Sequence, residues 1–254
     1  MDINLKTQGI IDVYLKPREV FFAERGAMSF CDGGIKYSSV DTSFLKSLKR
    51  WLGGESFYAV VKFENTSNSI QNLKLRYDVQ ENAWFHHNTT NTEILYFDLK
   101  KMNGDLIINL GSFFAATDGV GIDVYFDKNW GRSIFGFGSL FKQRLHGTGT
   151  VFILKNRWLK IDELIIESGK TITIDPKEVF GYTKTSLLNE NVFSFNNYRV
   201  GEGFSSYKFK GPGVILTYKT KFTDMDITNA GVFRFIFLIA IIFIVFKFIF
   251  NLIL

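Results

Sequence analysis

From residue 10 to residue 220 the chain runs as short apolar stretches punctuated by glycine. Glu19-Val20-Phe21-Phe22, Leu106-Ile107-Ile108, Thr171-Ile172-Thr173-Ile174 and Val214-Ile215-Leu216-Thr217-Tyr218 are typical. Each is rich in β-branched and aromatic side chains and bounded by turn formers, which predicts strands. Their close spacing predicts an all-β body with many short strands. One short helix interrupts it. Ser43 to Gly53 carries apolar residues at 44, 45, 48, 51 and 52, a single helical stripe, with Thr42 or Ser43 suited to the N-cap and Gly53 to the stop. Lys46, Lys49 and Arg50 fall on or beside its polar face, where they face water or meet anionic lipid headgroups.

The glycine landmarks recur at matching offsets. Gly54-Glu55-Ser56-Phe57, Gly136-Phe137-Gly138-Ser139 and Gly201-Glu202-Gly203-Phe204 are spaced by 82 and 65 residues. Gly147-Thr148-Gly149-Thr150-Val151-Phe152 matches Gly211-Pro212-Gly213-Val214-Ile215-Leu216 at a spacing of 64. Gly26-Ala27-Met28-Ser29-Phe30 and Gly111-Ser112-Phe113-Phe114-Ala115 are 85 apart, with a weaker third copy near Asp175-Pro176. These offsets predict three copies of one β unit, roughly 10–65, 94–156 and 160–221, packed about a pseudo-threefold axis because one unit cannot close its own apolar face. The polar, Asn/Thr-rich stretch Glu64 to Glu93 reads as an excursion between the first two units. It holds two formal glycosylation acceptors, Asn65-Thr66-Ser67 and Asn88-Thr89-Thr90, which have meaning only in a secretory lumen.

The pattern changes at the end of the chain. Val232 to Leu254 has 20 apolar residues of 23, and Phe235 to Phe246 is unbroken. As a helix this stretch would reach ~35 Å, enough to cross a ~30 Å hydrocarbon core. Arg234 lies near one end and Lys247 can snorkel towards the other. Lys247 and Asn251, four residues apart, share a face that can meet a partner helix. One Lys and one Asn do not make the broad polar face of an interfacial helix. The expected organisation is a β domain over residues 1–230 and a transmembrane anchor over 231–254. The N-terminus MDINLKTQGI shows neither an apolar signal region nor an Arg-rich presequence, which predicts tail anchoring.

Composition adds limits. The 254 residues carry 30 basic and 25 acidic side chains, a formal charge of +5 with no long Lys/Arg block, so nucleic acid is not the expected partner. Cys31 is the single cysteine, which excludes an intrachain disulfide framework and a cysteine-rich zinc module. No G-x-S-x-G elbow, phosphate loop, H-E-x-x-H or C-x-x-C occurs, and no cofactor is expected. His86 and His87 are adjacent and would point to opposite faces of a strand; His146 precedes a glycine turn with no partner evident from spacing. Cys31 is expected as a buried small hydrophobe. Asp162-Glu163 and Asp224/Asp226 are unremarkable carboxylates in linear order.

Several landmarks in order carry a resemblance. They are Pro17-Arg18-Glu19-Val20-Phe21-Phe22-Ala23-Glu24-Arg25-Gly26-Ala27-Met28 with Asp32-Gly33-Gly34, then Leu48-Lys49-Arg50 with Gly53-Gly54-Glu55-Ser56. Gly111-Ser112-Phe113-Phe114-Ala115-Ala116 follows, then Gly201-Glu202-Gly203 with Lys210-Gly211-Pro212-Gly213. Over residues 10–221 the chain resembles the altered-inheritance-of-mitochondria family, also called mitochondrial biogenesis proteins. The resemblance implies three repeats similar to the subunit of the tryptophan-RNA-binding attenuator protein, each a short double-stranded β-helix unit. It implies no known catalytic residues and a link to inner-membrane organisation and respiratory-complex integrity. Three features depart from the family pattern: the apolar tail, the absence of a presequence, and the Glu64 to Glu93 stretch. The expected function is a membrane-anchored, non-enzymatic scaffold or accessory subunit, with the lipid bilayer and other membrane proteins as partners. The mitochondrial inner membrane is the location the resemblance implies; a bacterial cytoplasmic membrane or another organelle fits the residues equally. The rival expectations are an RNA binder, by fold analogy alone, and a small-ligand binder with a pocket between repeats.

Overall fold

The computed structural model describes residues 1–6, 9–40, 60–77, 92–109, 111–126, 141–175, 178–183, 188 and 207–219. The expected helix at Ser43–Gly53, with Lys46, Lys49 and Arg50, and the expected membrane span at 231–254 lie outside these residues. Among the described residues no helix is long and apolar enough to cross a membrane.

The described structure is all β, and its strands fall into three consecutive stretches. The first holds β1 (Asp2–Lys6), β2 (Ile10–Leu15), β3 (Val20–Glu24), β4 (Met28–Cys31), β5 (Ile35–Val40), β6 (Val60–Asn65) and β7 (Gln71–Arg76). The second holds β8 (Thr92–Asp98), β9 (Asp105–Asn109), β10 (Phe113–Thr117), β11 (Val120–Phe126), β12 (Phe141–Gly147) and β13 (Thr150–Asn156). The third holds β14 (Ile161–Ile166), β15 (Thr171–Ile174), β16 (Val179–Tyr182), β17 (Tyr207–Lys210) and β18 (Gly213–Tyr218). All pairings are antiparallel. β7 bonds β2 and β4, β13 bonds β8 and β10, and β18 bonds β14 and β16. In the same way β6 bonds β3 and β5, β12 bonds β9 and β11, and β17 bonds β15.

Two further pairings, β3 with β10 and β9 with β16, knit the stretches into two six-stranded sheets. A four-stranded sheet, β1-β2-β7-β4, and the pair β15-β17 complete the set. Two of the strands at the joints, β9 and β10, are buried on both faces. Phe113, Phe114, Ala115 and Ala116 of β10 and Leu106, Ile107 and Ile108 of β9 are all inside. That is why these two segments read as unbroken apolar runs, whereas β2 and β7 alternate in sequence. Phe114 and Ala115 pack with Ile11, Val13, Leu15, Phe21, Leu73 and Leu75, while Phe113 and Ala116 pack with Leu106, Leu145, Phe180 and Leu216. A third cluster joins Tyr182, Tyr207 and Phe209 to Ile107 and Ile215. Its rings meet at centroid distances of 5.3 to 6.1 Å with tilted or edge-on geometry.

One expectation is corrected here. The Glu64 to Glu93 excursion contains β7, a central strand held by β2 on one side and β4 on the other, so the first stretch runs to Arg76 rather than ending near residue 65. Polar Asn72, Lys74 and Arg76 masked the alternation with Leu73 and Leu75, both fully buried. Two of the glycine landmarks each open a strand: Gly26 (φ 85) precedes β4 and Gly111 (φ 86) precedes β10, in the left-handed region open to glycine.

The turn ahead of β3 takes left-handed backbone without a glycine. Gly104 (φ 72) and Gly169 (φ 82) precede β9 and β15, whereas the turn before β3 holds Arg18 at φ 67. Its amide donates to the Asn65 carbonyl at 2.8 Å, which keeps the turn in this conformation. Left-handed backbone costs a side chain with a Cβ ~1–2 kcal/mol, and glycine returns ~0.5–1 kcal/mol of that through the unfolded chain. Arg18→Gly is therefore expected to raise stability by up to ~1 kcal/mol. Chemical denaturation of the two proteins side by side checks it; a loss of stability would mean that the Arg18 side chain holds something of its own.

Candidate functional site

A polar grouping lies on one face of three adjacent strands. Lys142, Arg144 and His146 alternate along β12 and so share a face. In register they stand opposite Asn109, Ile107 and Asp105 of β9, and opposite Tyr125, Asp123 and Gly121 of β11. Arg144 Nε donates to Asp105 Oδ2 at 2.6 Å, and its Nη1 is 3.8 Å from Asp123 Oδ2. His146 Nε2 is 3.3 Å from that same Asp123 oxygen. Gly121 makes room for the ring, since a Cβ there would come within 2.3 Å of His146 Cε1. Lys142 Nζ donates to Asn109 Oδ1 at 2.5 Å.

This row grades from a buried end to a wet one: the Asp105 side chain is largely covered, while Asp123 is mostly exposed. Its geometry is that of an ion-pair chain linking β9, β12 and β11, with both carboxylates bridged by one guanidinium on a sheet face. No group of three or more His, Cys, Asp or Glu able to hold a metal occurs among the described residues.

A second grouping lies on the outer face of the four-stranded sheet. Asp12 of β2 is 3% exposed although it sits among polar neighbours. Lys6 of β1 pairs with its Oδ2, and Lys74 Nζ of β7 is 3.9 Å from its Oδ1. The hydrogen bond to Asp12, then its charge, raises the Lys6 ammonium above the ordinary lysine value. Phe30 stands across from Lys74 and, with Tyr14, gives this face exposed aromatic surface.

Two groups shielded from water were not legible as such in the sequence. Glu24, half-buried, closes β3, and desolvation pushes its carboxyl up to about 7. Tyr77 is raised by burial and by the neighbouring Glu24 charge. Asn65 closes β6 and is fully buried. Its Nδ2 donates to the Leu15 carbonyl at 2.8 Å and the Ser69 carbonyl at 2.7 Å. Its Oδ1 accepts from Ser67 N at 2.9 Å and Ser67 Oγ at 2.8 Å. The formal glycosylation acceptor is thus a corner post of the β6–β7 turn, with no amide hydrogen left for a transferase.

The expected membrane and partner residues Arg234, Lys247 and Asn251, and the headgroup candidates Lys46, Lys49 and Arg50, lie outside the described residues. So do His86, His87, Asn88, Asp224 and Asp226. Of those described, Cys31 is half-buried and packs against the first core cluster. Asp162 pairs with Lys219, 3.2 Å apart at the surface. His146 has a partner after all, Asp123, twenty-three positions back in the chain and brought near by the β11–β12 ladder.

The family model described as Mitochondrial biogenesis AIM24 matches residues 1–218, nearly the whole described body. The chain belongs to the mitochondrial biogenesis AIM24 family. No curated protein matches it in sequence. Among solved structures it is similar to protein SPYM3_0169 from Streptococcus pyogenes, with 19% identity and a TM-score of 0.54 over 86% of this chain and 92% of that one. At that identity the likeness speaks for the fold alone, and it places an AIM24-like fold in a bacterium. The family's name refers to mitochondrial biogenesis. The ordered landmarks from Pro17 to Gly213 had pointed to this family, and its match ends at the last residue of β18.

Proposed function

We propose that this AIM24-family protein is a membrane-anchored, non-enzymatic scaffold or accessory subunit. It would support membrane organisation or a membrane-protein complex, at the mitochondrial inner membrane in hosts that have one. The observation that carries the reading is the apolar run Phe235 to Phe246 within Val232 to Leu254, which begins soon after the last β strand ends at Tyr218. Seven phenylalanines around one helix would leave no polar face to turn towards water. Tethering confines the β body to two dimensions and raises its effective concentration beside membrane partners. Arg234 would sit at one interface, Lys247 and Asn251 would meet a partner helix, and Lys46, Lys49 and Arg50 would meet anionic headgroups.

The same reading takes the thrice-used strand scheme as three units about a pseudo-threefold axis, as in the attenuator-protein subunit. The joints β3–β10 and β9–β16 support it, because both make the same connection, from the strand that bonds β6 or β12 in one stretch to the strand that bonds β13 or β18 in the next. The next step of that rotation would bring β15 to β4, and both are edge strands of their sheets.

Alkaline carbonate washing of membranes from cells expressing the full chain tests the anchor. The protein is expected to stay in the pellet, and the double substitution Leu238→Lys with Ile242→Lys to release it. Two lysines at the centre of a span oppose insertion by roughly 5–7 kcal/mol. Release of the native chain by carbonate would end the anchor reading. Mild-detergent purification should retain other membrane proteins; a clean single species across several detergents would argue against a scaffold.

A further inference from the structure

We infer that the outer edge of β14 is a docking edge for a second copy of this chain, pairing antiparallel with its own β14 about a twofold axis through Leu164. The starting point is a comparison of corresponding edges. β2 and β14 hold the same place in their stretches, one bonding β7 and the other β18. The outer edge of β2 is covered by β1, in an unbroken ladder from Asp2 opposite Tyr14 to Lys6 opposite Ile10. β14 ends its sheet, and no strand covers it among the described residues. The connection that precedes it, residues 157–160, turns directly from β13 into β14 and is too short to supply such a strand.

An open edge offers a row of unpaired amides and carbonyls, and monomeric proteins usually blunt it with a bulge, a proline or inward charge. β14 has no proline, and its register with β18 runs through six pairs without a shift, so no bulge twists it away. It also carries apolar surface: Ile165 is 71% exposed and Leu164 41%. Trp158, in the turn just before it, is 69% exposed. An exposed, straight edge with apolar side chains is a template for strand addition.

The acidic residues of the edge select the register of a self-pair. A twofold axis normal to a sheet keeps each side chain on its own face, so residue i can oppose only residues of the same parity. Centring on Glu163 would set Glu163 against its own copy, and centring on Ile165 would set Glu163 against Glu167. Like charges directly opposite are unfavourable. Centring on Asp162 repeats the fault. Centring on Leu164 sets Leu164 against Leu164, Glu163 against Ile165, Asp162 against Ile166 and Ile161 against Glu167, with no acid opposing an acid. The sequence of the strand thus favours one isologous pairing and penalises its neighbours.

The test uses the full chain in mild detergent, in a Cys31→Ser background, with Ile165→Glu and cysteine substitutions along β14. Sedimentation is expected to show a dimer, and Ile165→Glu, which sets a carboxylate against Glu163 of the second copy on both sides of the axis, to weaken it by at least about tenfold in Kd. Ile70→Glu, also exposed but in the β6–β7 turn, should leave it intact. Under mild oxidation Leu164→Cys is expected to link to its own copy, since directly opposed Cβ atoms lie ~4.5–5.5 Å apart. Glu163→Cys and Ile165→Cys, each opposed by a different residue, should link far less. A monomer at high micromolar concentration would overturn the proposal. So would a dimer indifferent to Ile165→Glu, which would mark association through the apolar tail, or equal cross-linking at all three positions, which would mark random encounter.

Discussion

Asn65→Ala is expected to destabilise the β body by about 3 kcal/mol, read by chemical denaturation, because it removes four side-chain hydrogen bonds at one buried point. A typical intramolecular hydrogen bond contributes ~1 kcal/mol net, and a buried carbonyl left without its donor costs ~1–3 kcal/mol. Asn65 ties together three pieces of chain: the end of β2 through Leu15, the β6–β7 turn through Ser67 and Ser69, and the β2–β3 turn through its own carbonyl, which accepts from Arg18. Asn65→Asp sharpens the argument. A carboxylate cannot donate to the Leu15 and Ser69 carbonyls and would face them with negative charge, so this variant should be at least as unstable as Asn65→Ala at neutral pH. Acid should restore part of the loss, since a protonated carboxyl can donate one bond. If Asn65→Ala loses less than about 1 kcal/mol, the network is not the post described here.

Glu24→Gln is expected to raise stability at pH 8 by at most about 3 kcal/mol and to leave it nearly unchanged at pH 4. Burial lifts the folded-state pKa from 4.5 to about 7. Between those two values the folded chain therefore binds more proton than the unfolded one, and stability falls as pH rises through the window. Below it both states carry the neutral acid and no penalty remains. Above it the folded chain holds a buried charge that Gln does not have. Gln keeps the shape of the neutral acid, so packing against Tyr77 should be unaffected. Denaturation midpoints of both proteins at pH 4, 6 and 8 check the sign: the gap should open with rising pH, and a constant gap would show that charge burial is not its cause.

The two groups differ in how far the sequence anticipated them. The Asn65-Thr66-Ser67 pattern is visible, but its linear reading is a modification signal; the structural reading needs Leu15, fifty positions away. Glu24 stands at the end of a strand beside Arg25, where linear reading predicts a solvated charge. Only the packing that buries the end of β3 shows otherwise. The Asp105–Arg144–Asp123–His146 chain was equally hidden, because its members come from three strands and meet only through the β9–β12 and β11–β12 ladders. β7 was missed for a simpler reason. Its Leu73 and Leu75 alternate as a strand should, but the surrounding Asn, Lys and Ser suggested a loop.

What the sequence alone determined is local and periodic. Apolar segments with glycine breaks meant β strands, and the ordered landmarks named the family, because backbone sterics and side-chain burial act within a few residues. What only the tertiary structure decided is which strands meet. The β3–β10 and β9–β16 joints, the cover that β1 places over β2, the edge that β14 leaves open among the described residues, the burial of Asn65 and the partial burial of Glu24 all arise between residues far apart in the chain. Such contacts depend on register and on the closure of three stretches over shared cores, and no short-range pattern encodes them.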